Sequence, residues 1–187
     1  MTGRPPPDEA GLREAALTYL ARYAATSASL RRVLLRRIDR WMGEQPDPDA
    51  ARPLADAARA LVPPLITTLE AQGLLDDAAF ATARAASLRR AGQSSRGIAA
   101  RLAAKGVGLA MAQRATDSSF ETELTAALVL ARKRRIGPFR TVGEADAERR
   151  RREFGILARA GFPSAIARAA LTADREEAEA RILALRL

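Results

Sequence analysis

Apolar residues recur along this chain every third or fourth position, the period of an amphipathic helix. Leu12, Ala16, Leu17 and Leu20 predict a first helix, opened by Asp8 and Glu9 and running to about residue 24. Acids in a first turn suit the helix dipole. Thr26 and Ser27 are N-cap residues for a second helix, whose buried face is Leu30, Leu34, Ile38 and Trp41. Arg32, Arg36 and Arg40 recur every fourth residue on another face. Residues 42–53, rich in Gly, Pro and Asp, read as a linker. A helix over residues 54–62 should break or kink at Pro63-Pro64, and a new one should run over 65–72 to Gly73, a C-terminal stop.

The segment Leu74-Leu75-Asp76-Asp77-Ala78-Ala79-Phe80-Ala81 carries the sharpest local signal. Two leucines close the preceding helix, Asp76 or Asp77 caps the next, and Phe80 begins its buried face with Leu88. Gly92 ends that helix; Ser94 or Ser95 caps another built on Ile98 and Leu102, which Gly106 terminates and Val107 packs against. Further helices are predicted over 109–115, 118–136, 145–160 and 163–171. Leu124, Leu128, Leu157 and Phe162 lie on their core sides. Asp174 caps a last helix with Ile182, Leu185 and Leu187 on its apolar side. No stretch sustains a period of two, so no sheet is expected and the fold class is all-α.

A shift of 68 residues aligns Leu20, Ser27, Leu30 and Leu34 with Leu88, Ser95, Ile98 and Leu102. A further shift of 55 aligns Leu102, Gly106, Val107 and Met111 with Leu157, Gly161, Phe162 and Ile166. The expectation is a tail (1–8, disordered), then three repeats of roughly three helices (9–72, which includes the linker, 73–117 and 118–173) and a C-terminal helix (174–187). Repeats that touch mainly their neighbours build elongated, curved bodies with long surfaces in place of one pocket.

Composition narrows the chemistry. The 187 residues include 43 Ala and 29 Arg, with Lys105 and Lys133 as the lysines. Such residues lose little side-chain freedom in a helix. Cysteine and histidine are absent, which removes disulfides, thiolate or imidazole metal sites and any Ser-His-Asp triad. A carboxylate-only site would need acids beyond the Asp76-Asp77 pair, which capping already explains. No cofactor or metal is expected. No apolar run is long enough to span a membrane, and residues 1–8 lack a signal peptide's apolar centre. A cytoplasmic monomer is expected.

The net charge is +9, from 31 basic and 22 acidic residues. Its distribution says more. Residues 15–38, 78–116 and 124–143 contain no Asp or Glu, yet hold 17 of the 31 basic side chains. Clustered positive charge fits a polyanionic partner, nucleic acid or nucleoprotein, better than an evenly solvated surface. The residues expected to carry binding are Arg32 and Arg36; Arg89, Arg90, Arg96, Arg101 and Lys105; and Arg132, Lys133, Arg134, Arg135 and Arg140. Arg149 to Arg152 rank lower because Glu148 and Glu153 flank them. Trp41, Tyr19 and Tyr23 could stack on bases, although packing is the commoner use of such aromatics.

Three segments together resemble one family. They are Leu30-Arg31-Arg32-Val33-Leu34-Leu35-Arg36-Arg37, the run from Glu70 through Gly73-Leu74-Leu75-Asp76-Asp77 to Ala81, and Ile98 with Leu102-Ala103-Ala104-Lys105-Gly106-Val107. Arg135-Ile136-Gly137-Pro138-Phe139-Arg140 and Leu157-Ala158-Arg159-Ala160-Gly161-Phe162 fit as well. In order and spacing, over about residues 12–172, they resemble RecX, the regulatory family of the recombinase RecA. The resemblance implies tandem three-helix repeats and a protein, not itself an enzyme, that binds RecA filaments on single-stranded DNA. There it restrains growth or promotes disassembly and lowers RecA activity. Ser94-Ser95 stands where many members carry Gly-Pro, and Arg84, where many carry a bulky residue, is expected half-buried near Asp77. The readings set against this are a DNA-binding module without a protein partner, disfavoured by the scarcity of base-reading Asn and Gln, and an enzyme, which would need convergent acids.

Overall fold

The computed structural model describes residues 5–141, 143 and 146–185. Residues 1–4 of the expected tail, Ala145 at the expected helix start and Leu187 lie outside the described residues. Among the described residues the secondary structure is entirely helical. The chain divides into two compact units: residues 1–80 with 105–107, and residues 81–104 with 108–187.

The first unit contains α1 (Glu9–Leu20), α2 (Ser27–Gly43), α3 (Pro48–Ala60) and α4 (Val62–Ala71). Asp8 and Thr26 cap α1 and α2 through bonds to Gly11 and Ser29 N–H. Leu30, Leu34, Ile38 and Trp41 of α2 are buried with Leu12, Ala16, Val62, Leu65 and Leu69. Each such large apolar side chain contributes roughly 1.5–3 kcal/mol on burial.

The second half of the expected linker is helix. Asp47 accepts the N–H groups of Asp49 and Ala50, and Pro48 occupies the first turn, where its missing N–H costs nothing. Pro53 lies inside α3, yet Ala51, Ala55 and Ala58 are buried on one side. Burial of that small-residue face outweighs the proline. The prolines at 63 and 64 fall in the first turn of α4 and so mark its start.

The chain passes to the second unit within α5 (Asp77–Arg90). That unit continues with α6 (Ser95–Ala104), α7 (Leu109–Thr116), α8 (Phe120–Arg134), a 3-10 turn (Gly137–Phe139), α9 (Ala147–Arg159), α10 (Ser164–Thr172) and α11 (Arg175–Ala184). Leu124, Leu128, Leu157, Phe162, Ile166 and Ile182 meet in its core. Phe80, expected in the core, is half-buried, and Arg84 is exposed.

Each unit contains a knot of the same chemistry. In the first, Thr26 Oγ1 accepts from Ser29 N–H and donates to the carbonyl of Lys105 at 2.6 Å. Asp77 accepts from Ser27 N–H (2.8 Å) and Ser27 Oγ. In the second, Ser94 Oγ accepts from Gly97 N–H and donates to the Ala160 carbonyl at 2.6 Å. Glu123 accepts from Ser95 N–H (2.9 Å) and Ser95 Oγ (2.6 Å). After each carbonyl comes a left-handed glycine, Gly106 (φ 86) or Gly161 (φ 91). A Cβ on Gly106 would collide with Ala28 Cβ, and one on Gly161 with Ser94 Oγ. Asp76 alone caps α5, taking Ala79 N–H at 2.8 Å; Asp77 holds the start of α2 instead.

Candidate functional site

The basic side of the first unit is built by α2. Burying Leu30, Leu34, Ile38 and Trp41 turns Arg31, Arg32, Arg36, Arg37 and Arg40 outward, and all five are exposed. The acid of this helix, Asp39, is held by Arg59 of α3 at 2.7 Å. Arg59 also binds Asp56, and these carboxylates raise its pKa above the ordinary guanidinium value. Arg31, Arg36, Arg37 and Arg40 form no ion pair or side-chain hydrogen bond among the described residues. Arg32 leans on Ser29 Oγ at 3.1 Å and on the Lys105 carbonyl at 3.4 Å. The Lys105 ammonium itself is exposed.

Within the second unit the expected residues divide. Arg90, Arg96 and Arg101 are exposed and carry no ion pair among the described residues. Arg134 and Arg135 are likewise exposed, and Arg132 is half-buried without a side-chain partner among the described residues. Arg135 adopts a left-handed φ of 54° that ends α8. Three other residues of the expected set make internal bonds. Arg89 is half-buried and donates to Ser95 Oγ and the Thr116 carbonyl, leaving its Nε buried without a bond. Lys133 Nζ donates to the Ala91 carbonyl at 2.7 Å.

Arg140 forks onto Glu153, with Nε donating at 2.8 Å and Nη2 also bonded. Glu153 also accepts Gly137 N–H at 3.2 Å and meets Arg149 at 3.5 Å. Burial pushes this carboxyl up, but Arg140, the Gly137 N–H and Arg149 together hold it below the ordinary carboxylate value. Arg140 is correspondingly raised by its bond to Glu153. Sequence inspection missed Glu153 as a structural anchor, because the arginines around it read as a local solvated run.

The hydroxyl–carboxylate pairs Ser27–Asp77 and Ser95–Glu123 anchor helix starts, where each carboxylate also takes a backbone N–H. They resemble a nucleophile with its base in distance alone. Among the described residues no group of three or more acids is placed to hold a metal ion. No helix among them is long and apolar enough to cross a membrane. What the exposed surface offers is planar, permanently charged guanidinium groups, suited to phosphate or carboxylate oxygens.

No family model and no solved structure matches the chain. Two curated proteins do. Over 163 residues, 84% of this chain and 82% of the relative, it is 44% identical to the regulatory protein RecX of Myxococcus xanthus. Over 167 residues, 89% of this chain and 85% of the relative, it is 34% identical to the regulatory protein RecX of Agrobacterium fabrum.

Proposed function

Because the chain belongs to the RecX family of regulatory proteins, we propose that it regulates the RecA recombinase by binding RecA filaments on single-stranded DNA. In this reading it restrains filament growth or promotes disassembly. Strand exchange, ATP hydrolysis and the co-protease activity of RecA fall as a consequence. The protein performs no catalysis of its own and works in the cytoplasm.

The observation that carries this reading is the set of outward guanidiniums with no carboxylate partner among the described residues. Arg36 and the Lys105 ammonium in the first unit, and Arg90, Arg96, Arg101, Arg132, Arg134 and Arg135 in the second, make no ion pair among the described residues and are available to a polyanion. Arg89 and Arg140, half-buried and bonded internally, support the second unit's surface, and Lys133, exposed, holds the Ala91 carbonyl with one donor and keeps the others for a partner. Arg32 contributes with its free donors. The partner oxygens belong to DNA phosphates and to acidic side chains of RecA, and each free guanidinium suits both.

Co-sedimentation with preassembled RecA filaments on single-stranded DNA tests the reading. The protein should pellet with filaments, and RecA ATP hydrolysis should fall at protein concentrations well below that of RecA. Tight binding to naked DNA with hydrolysis untouched would overturn it in favour of a DNA-binding module without a protein partner.

A further inference from the structure

Between α1 and α2, within the first unit, lies an open groove of about 570 Å³. Its walls carry Arg22, Arg36, Arg37 and Arg40, set against Glu14, together with Tyr19 and Tyr23. The four guanidiniums are exposed and have no partner among the described residues. The tyrosine rings lie 5.1 Å apart at an interplanar angle of 42°, and Tyr23 is 57% exposed. Trp41, the other aromatic flagged as a stacking candidate, is only 5% exposed and belongs to the core.

We propose that this groove is a direct binding site for a short single-stranded segment of nucleic acid. Arg36 and Arg40 lie one helical turn apart, about 6 Å along the axis, and take successive phosphates. Arg22 and Arg37 extend the positive wall, and a base stacks on the exposed Tyr23 ring. Tyr19, half-buried against the core of the unit, backs Tyr23 and fixes its tilt.

Two features favour nucleic acid over an acidic protein segment. The exposed Tyr23 ring among cations gives a base a π-face to stack on, a contact that a carboxylate does not make. Stacking also tolerates any sequence, which agrees with walls that offer no Asn or Gln to read base edges. The site goes beyond the regulatory reading above: it needs no recombinase, so its failure and the failure of that reading are separate results.

The test uses the full chain, a labelled oligo-dT, and an abasic strand of equal length. Fluorescence anisotropy should show oligo-dT bound more tightly than the abasic strand. Tyr23→Ala should weaken oligo-dT binding by roughly ten-fold or more and leave abasic binding unchanged; Tyr23→Phe should restore it. Arg36→Gln with Arg40→Gln should weaken both ligands. It should also lower the salt slope by about 1.4, because each phosphate contact on a single strand contributes about 0.7. Trp41 fluorescence reports that each variant is folded. An unchanged preference for oligo-dT in Tyr23→Ala would overturn the proposal, and so would a poly-glutamate peptide that competes as well as oligo-dT.

Discussion

Helix α2 carries Arg31, Arg32, Arg36, Arg37 and Arg40, and helix α9 carries Arg149, Arg150, Arg151 and Arg152. On α9, Arg149 faces Glu153, Arg152 meets Glu148 at 3.1 Å, and Arg140 closes on Glu153 from the preceding turn. On α2 the acid Asp39 is taken by Arg59 of another helix, so the arginines of α2 itself keep their charge for an outside partner. Arginine count is therefore a poor guide to function in this chain. What separates a structural guanidinium from an available one is whether a carboxylate lies one helical turn or one packing contact away.

The largest effect that would break this contrast comes from Glu153. Replacing it with Ala leaves the Arg140 guanidinium, which is half-buried, without its partner and the Gly137 N–H unbonded. Leaving these groups unsatisfied at a part-buried site costs about 1–3 kcal/mol, readable as a lower midpoint in urea denaturation. Arg36→Gln should stay within about 0.5 kcal/mol of the parent protein in the same assay, as exposed substitutions do.

Acid titration sharpens the contrast. The Glu153 carboxyl lies below its ordinary value of 4.5 in the folded protein. Its contribution is thus complete above that pH and is lost as pH falls through the lower folded value. Stability should drop in that acid range, and Glu153→Gln should flatten the drop. Variants of the α2 arginines should leave it untouched.

A smaller effect is expected at the exposed end of α9. Arg152 and Glu148 are both solvent-facing, so Arg152→Ala should change stability by only about 0.3–0.5 kcal/mol, with the difference shrinking in high salt. If Arg152→Ala proved as costly as Glu153→Ala, the division between anchored and surface arginines would fail.

The helices were legible where apolar spacing and caps agreed, as in α2, where Thr26 and the Leu30–Trp41 face both hold in the structure. The start of α3 was not, because Asp and Pro read as linker composition although Asp47 and Pro48 form a good first turn. Ala51, Ala55 and Ala58 gave too faint an apolar signal to offset that. The site was half legible. An acid-free stretch shows where no local carboxylate competes, which succeeds for Arg36 and Arg96. It cannot reveal an acid brought in by packing, which is how Arg140 acquires Glu153 from 13 residues away and how Ser27 acquires Asp77 from 50 away.

The most direct test of the central claim is RecA-catalysed ATP hydrolysis on single-stranded DNA, titrated with the parent protein and with the combined variant Arg31→Gln, Arg36→Gln, Arg37→Gln and Arg40→Gln. The parent should suppress hydrolysis, and the variant, folded by Trp41 fluorescence, should do so at least ten-fold less effectively. Equal suppression by both would contradict it, and would move the function away from the free guanidiniums of α2.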